Sequence, residues 1–111
     1  MNKTEIRFSV TLDENNVPET ITWQSSDQEG GRRQATAINL SIWDQEQDGT
    51  LKIDLWTKAM PIEDMKRFYV DTIGSMADSL AVATSDTELA DKIRELSQNL
   101  YELIEPRASQ H

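Results

Sequence analysis

The residues best spaced for chemistry lie between Asp44 and Leu55, in the string DQEQDGTLKIDL. Asp44, Glu46 and Asp48 fall where the first, third and fifth ligands of a calcium loop stand, Gly49 takes the place of the sharp turn, and Leu51 is the apolar residue that follows. The twelfth position of such a loop needs a bidentate carboxylate, and here it is Leu55. No helical pattern precedes the string, so an acidic hairpin turn is expected and no metal site. Other reactive groups are scarce. The chain has no cysteine, and its one histidine is His111. Thiol chemistry, a histidine-dependent triad and a histidine-ligated metal are therefore excluded. Neither a nucleophile elbow, a phosphate loop, a dinucleotide fingerprint nor a zinc-protease pattern occurs. Carboxylates alone can run an enzyme, but they need a cleft that sets their separation, which no spacing here supplies. The expectation is a non-enzymatic protein with no catalytic residues and no cofactor.

Tryptophan offers a second kind of chemistry, recognition. Trp23, Trp43 and Trp56 each stand near the end of an expected strand, and Trp43 and Trp56 bracket the acidic turn. Alternation places Trp56 opposite the Leu51-Ile53-Leu55 face, together with Lys52 and Asp54, and places Trp43 opposite Ile38-Leu40-Ile42. Aromatic rings beside charged groups are a common make-up of binding hot spots. The competing reading covers that face with helices, or buries the sheet on both sides. The candidate partner surface is Trp43, Lys52, Asp54, Trp56, Lys58 and Met60.

These residues need elements to hold them. Ile6, Phe8, Val10 and Leu12 alternate with polar neighbours, which predicts a strand over 5–12. Asp13-Glu14-Asn15-Asn16 is a turn cluster, and a second strand over 19–25 carries Ile21 and Trp23. Ser25 to Arg33 lacks a period, contains Gly30 and Gly31, and reads as a surface loop. Strands over 35–43 and 50–56 follow, joined through the Asp48-Gly49 pair, a hairpin signal. Two amphipathic helices come next, over 61–83 and 86–105. Pro61 suits a first helical residue, and Glu63 with Asp64 suits the helix dipole. Met65, Phe68, Tyr69, Thr72, Met76 and Leu80 recur at helical spacing, and Gly74 among them marks a close approach to a neighbour. Ser85 and Glu88 match a capping box. The second apolar stripe is Leu89, Ile93, Leu96, Leu100 and Leu103, and Pro106 should stop it, leaving Arg107 to His111 to fray. Its spacings of four and three match a coiled-coil seam. Intramolecular packing accounts for that seam, with a homodimer as the alternative. The expected fold is α+β: a four-stranded antiparallel meander followed by two helices packing on the sheet, in one domain of 111 residues.

Charge narrows the partners. The net charge is −9, with ten acids and six bases through Met60 and ten acids and four bases from Pro61 to Pro106. Nucleic acid binding, which needs clustered Lys and Arg, is excluded. No apolar run opens the chain or reaches the ~20 residues of a membrane span, so the cytoplasm is the expected compartment and the chain is not expected to be membrane-embedded.

The string IDLWTKAMPIEDMK (Ile53 to Lys66), together with SIWD (Ser41 to Asp44), SMAD (Ser75 to Asp78) and the opening EIRFSVTLDENNVPETITW (Glu5 to Trp23), resembles the gliding-motility protein GldC family of the Bacteroidetes. The resemblance runs from about Glu5 to about Leu103. It implies a small cytoplasmic accessory protein whose partners are proteins of the gliding or secretion machinery. The family brings no catalytic residues to carry over. A different class remains beside it, a cytosolic chaperone or escort that holds unfolded export clients in an apolar groove.

Overall fold

The computed structural model describes residues 2–27 and 29–105, so the expectations for Pro106 and for Arg107 to His111 lie outside the described residues. Five strands precede two helices: β1 (Ile6–Leu12), β2 (Pro18–Ser25), β3 (Arg33–Ala35), β4 (Ala37–Asp44), β5 (Gly49–Trp56), α1 (Ile62–Thr84) and α2 (Thr87–Ile104). The α+β class holds. The chain divides between Met60 and Pro61 into a strand body and a helical body.

The strand body corrects the four-stranded meander. β1, β2 and β3 form one antiparallel sheet in that order, while β4 and β5 form a separate two-stranded sheet. The segment read as one strand over 35–43 is interrupted at Thr36. Before it, Ala35 pairs with Ile21; after it, Ala37 pairs with Trp56. The Thr36 carbonyl faces Thr57 in line with the β4–β5 register. It accepts from the Thr57 amide at 2.9 Å and from the Thr57 hydroxyl at 3.4 Å. Thr57 is 3% exposed while Thr36 is exposed, so the donor side of this junction is the shielded one. The bond from the Thr57 amide extends the β4–β5 pairing by one position, so one predicted strand becomes two because the chain changes partner at Thr36, from β2 to β5. Ile21 is the large side chain most completely buried in this body.

The turns follow local chemistry. Asp13 Oδ1 accepts from the amides of Asn15 (2.8 Å) and Val17 (3.0 Å), and Asn16 takes the left-handed conformation that asparagine tolerates. In the β4–β5 turn the left-handed residue is Asp48 rather than Gly49. The other Asp13 oxygen meets the Lys58 ammonium, tying the first hairpin turn to the segment after β5. Lys58, with help from the Val17 amide, lowers the Asp13 carboxyl from 3.8 to about 2. The same pairing raises Lys58 above its ordinary value. A depressed carboxyl contributes stability above its unfolded value and loses it as pH falls through the folded one. Asp13→Asn is therefore expected to lower the thermal midpoint at neutral pH, with the gap to wild type closing as pH falls from 3.8 to about 2. Thermal melts of both proteins across that range check it; a gap independent of pH would contradict the ion pair.

In the helical body, Pro61 stands one residue earlier than expected, with extended backbone (ψ 145°), and its carbonyl receives the Met65 amide. The expected capping box at Ser85 is also displaced. Ser85 ends α1 in the left-handed conformation (φ 61°), its amide donating to the Ala81 carbonyl, so Asp86 caps α2 instead by accepting from the Leu89 amide at 3.0 Å. A link this short makes an antiparallel helical hairpin. Its contact line is built of small residues. Val70 and Ala77 of α1 and Ala90 and Ser97 of α2 are the buried positions, and Gly74 lies against Ser97. A Cβ at Gly74 would stand 2.8 Å from the Ser97 hydroxyl, which is the close approach that glycine permits. Gly74→Ala alone is expected to yield little of the ~1 kcal/mol helix-propensity gain, because the Ser97 hydroxyl occupies the space. Gly74→Ala combined with Ser97→Ala should recover about 1 kcal/mol, a coupling that urea unfolding of the two singles and the double measures. Additive singles would mean the helices are not in tight contact there.

Candidate functional site

The register of β4 and β5 sorts the hairpin into two faces. Trp43 pairs with Thr50, Ser41 with Lys52, Asn39 with Asp54 and Ala37 with Trp56; these share one face. Ile38 pairs with Leu55, Leu40 with Ile53 and Ile42 with Leu51 on the other. Trp43, Lys52, Asp54 and Trp56 thus stand together as alternation implies. Trp43 is 65% exposed and Trp56 53%. The two rings sit at opposite ends of the hairpin, roughly 20 Å apart at a strand rise of about 3.3 Å per residue. Between them Lys52 Nζ meets Asp54 Oδ1 at 3.3 Å, a local neutral pair with one partner partly shielded. The surface is therefore a polar strip with an aromatic ring at either end, not a continuous aromatic patch.

Lys58 and Met60 are not on that strip. They lie in the turn after β5, where the Met60 amide donates to the Thr57 carbonyl and its sulfur receives the Thr36 hydroxyl at 3.0 Å. Lys58 is committed to Asp13. Their work is to hold the junction between the two sheets.

Trp23 has a different setting. It is half-buried on β2 and pairs across the ladder with Arg33 of β3, whose guanidinium lies 5.8 Å from the ring centroid. At that distance the cation meets the negative face of the ring. The sequence places Arg33 in a loop, and only the third strand, three residues long, brings it over Trp23.

The acidic string at Asp44 is spent on its turn. Asp44 Oδ2 accepts from the Gln47 amide at 3.3 Å, and among the described residues no three acidic or histidine side chains converge as a metal-ligand set. One groove, of about 480 Å³, opens where β2, β3 and the turn after β5 meet, with Glu19, Thr20, Gln34 and Thr57 in its wall. Its hydroxyls, amide and carboxylate can hold a polar segment by hydrogen bonds. Nothing in the periodicity marks this groove, because it depends on the interruption at Thr36.

The apolar face of the hairpin is also open, with Ile42, Leu51 and Ile53 each more than 40% exposed. No described helix is long and apolar enough to cross a membrane. No curated protein and no solved structure matches this chain. A family does: residues 18–106 match the description "Gliding motility-associated protein GldC-like". Because that match spans β2 through α2 and most of the 111 residues, the chain belongs to the GldC-like family.

Proposed function

We propose that this protein is a non-enzymatic docking module of the gliding-motility apparatus, acting in the cytoplasm of a Bacteroidetes cell. A partner protein of the gliding or secretion machinery binds along the Trp43–Trp56 face of the β4–β5 hairpin. The observation that carries the reading is the placement of two largely exposed tryptophans on one strand face, with the Lys52–Asp54 pair between them. Each ring supplies a large rigid contact at small entropic cost, and the charged pair between them sets orientation more than affinity. A separation of roughly 20 Å suits two anchors of one ordinary interface.

Truncating either anchor should weaken the complex by about 2 kcal/mol, roughly thirtyfold, while leaving the fold intact, because neither ring is part of a core. Tagged wild type and Trp56→Ala, recovered from their own cells under identical conditions, measure this. A motility component held by wild type and lost from Trp56→Ala, with unchanged circular dichroism, supports the reading. Equal recovery removes this face from it.

The open apolar face of the same hairpin favours a second reading, an escort for unfolded export clients. Ile42, Leu51 and Ile53 could accept extended apolar segments. It requires suppression of aggregation for several unrelated unfolded proteins at stoichiometric amounts, and loss of that effect in Ile53→Ser. Selectivity for one folded partner excludes it.

A further inference from the structure

We propose that the polar face of the β1–β2–β3 sheet holds a binding pocket for a divalent oxyanion, a phosphate group. It lies on a different sheet from the Trp43–Trp56 face, and the two readings stand separately. The register builds the pocket. Arg7 pairs with Gln24 and Ser9 with Thr22, while Thr22 pairs with Gln34 across β2 and β3. These side chains share one face, and the alternation that puts Gln34 there puts Arg32 there too, beside Gln24. Arg33 and the Trp23 ring, which meet each other, belong to the opposite face. Arg7, Ser9, Thr22, Trp23, Gln24 and Arg32 line a cavity of about 130 Å³. Neighbouring strands lie about 4.8 Å apart, so Arg7 and Arg32 stand roughly 10 Å apart across Gln24, within reach of one shared ligand.

The lining selects the ligand. Two guanidinium groups, one amide and two hydroxyls can all donate hydrogen bonds, and no carboxylate is among them. Two cations balance a dianion, and a tetrahedral oxyanion has acceptors enough for donors arriving from both sides. A lone carboxylate would occupy one guanidinium fork and leave the other charge unmatched. The cavity is well below the ~300 Å³ at which sites for whole small molecules begin, so it takes a group and not a nucleotide. The acids nearest in sequence are Glu5, Asp27 and Glu29. Asp27 accepts the Thr4 hydroxyl at 3.2 Å, and among the described residues neither Asp27 nor Glu29 forms an ion pair with Arg32. Glu5 is the exception: its Oε2 meets Arg7 Nη2 at 3.1 Å, with both side chains largely exposed. Such a pair contributes little and engages one of five guanidinium donors, so Glu5 is a weak competitor for Arg7. In a chain of net charge −9, Arg32 brings a positive charge that the described fold leaves unneutralised.

Titration of the full chain with inorganic phosphate, followed by amide and arginine side-chain NMR shifts at constant ionic strength, tests this. Saturable shifts at Arg7, Gln24 and Arg32 with a Kd of about 1 mM are expected, and chloride should cause none. Acetate, with one charge, should bind at least roughly tenfold more weakly. Arg32→Gln should weaken phosphate binding roughly tenfold and Glu5→Gln should strengthen it, while Arg67→Gln, the same change on α1, leaves it unchanged. All three positions are exposed, so the variants keep the fold. O-phosphoserine separates the sources of the group. Tighter binding than inorganic phosphate identifies an esterified phosphoryl group and weaker binding a free ion, and either upholds the pocket. Shifts that do not saturate by about 20 mM phosphate overturn it, as do equal affinity for acetate, equal weakening by Arg32→Gln and Arg67→Gln, or no gain from Glu5→Gln.

Discussion

Two threonines twenty-one residues apart hold the strand body together. Thr36 ends the β4–β5 pairing opposite Thr57, and its carbonyl receives both the amide and the hydroxyl of Thr57. Several features of the strand body meet at this pair. The pair marks where one run of alternating residues changes partner, Ala35 lying opposite Ile21 of β2 and Ala37 opposite Trp56 of β5. It also sets Lys58 within reach of Asp13 and Met60 within reach of Thr36. Bonds of this kind are worth about 1 kcal/mol each net when exposed to competition, but a buried donor left unmade costs more. The junction thus acts mainly by making alternatives expensive.

The helical body is governed by the opposite economy, closeness in place of hydrogen bonding. A glycine facing a serine lets two backbones approach, and the approach decides which side chains are left outside. Had the large residues of both stripes met each other, the hairpin would have buried its own apolar surface. With Ala77 and Ala90 at the centre, it cannot. The same logic applies to β4 and β5, which present an apolar and a polar face with neither deeply covered.

Much of this was legible from residue patterns. Alternation located β1, β2, β5 and most of β4, and put Trp43, Lys52, Asp54 and Trp56 on one face without any knowledge of register. Helical spacing located α1 and α2, and Gly74 announced a near neighbour. The misses have a common cause. Ser85 offered a plausible cap, but a left-handed residue was needed there to end α1, and its neighbour Asp86 was equally able to cap α2. Arg33 over Trp23, and Lys58 against Asp13, arise from pairings between distant segments. Local patterns report which face a side chain takes, not which distant group waits for it.

The chain order of these elements has a kinetic meaning. β1 pairs with β2, β4 with β5 and α1 with α2, each through a link of a few residues, so nearly all regular structure can form from neighbours in sequence. Short loops of this kind close in well under a microsecond, and hairpins form within microseconds. Thr36 and Thr57, the outermost pair of the β4–β5 hairpin, close as that hairpin zips away from its turn. Three units built from neighbours in sequence give most of the described pairings short separations, the property that goes with fast folding.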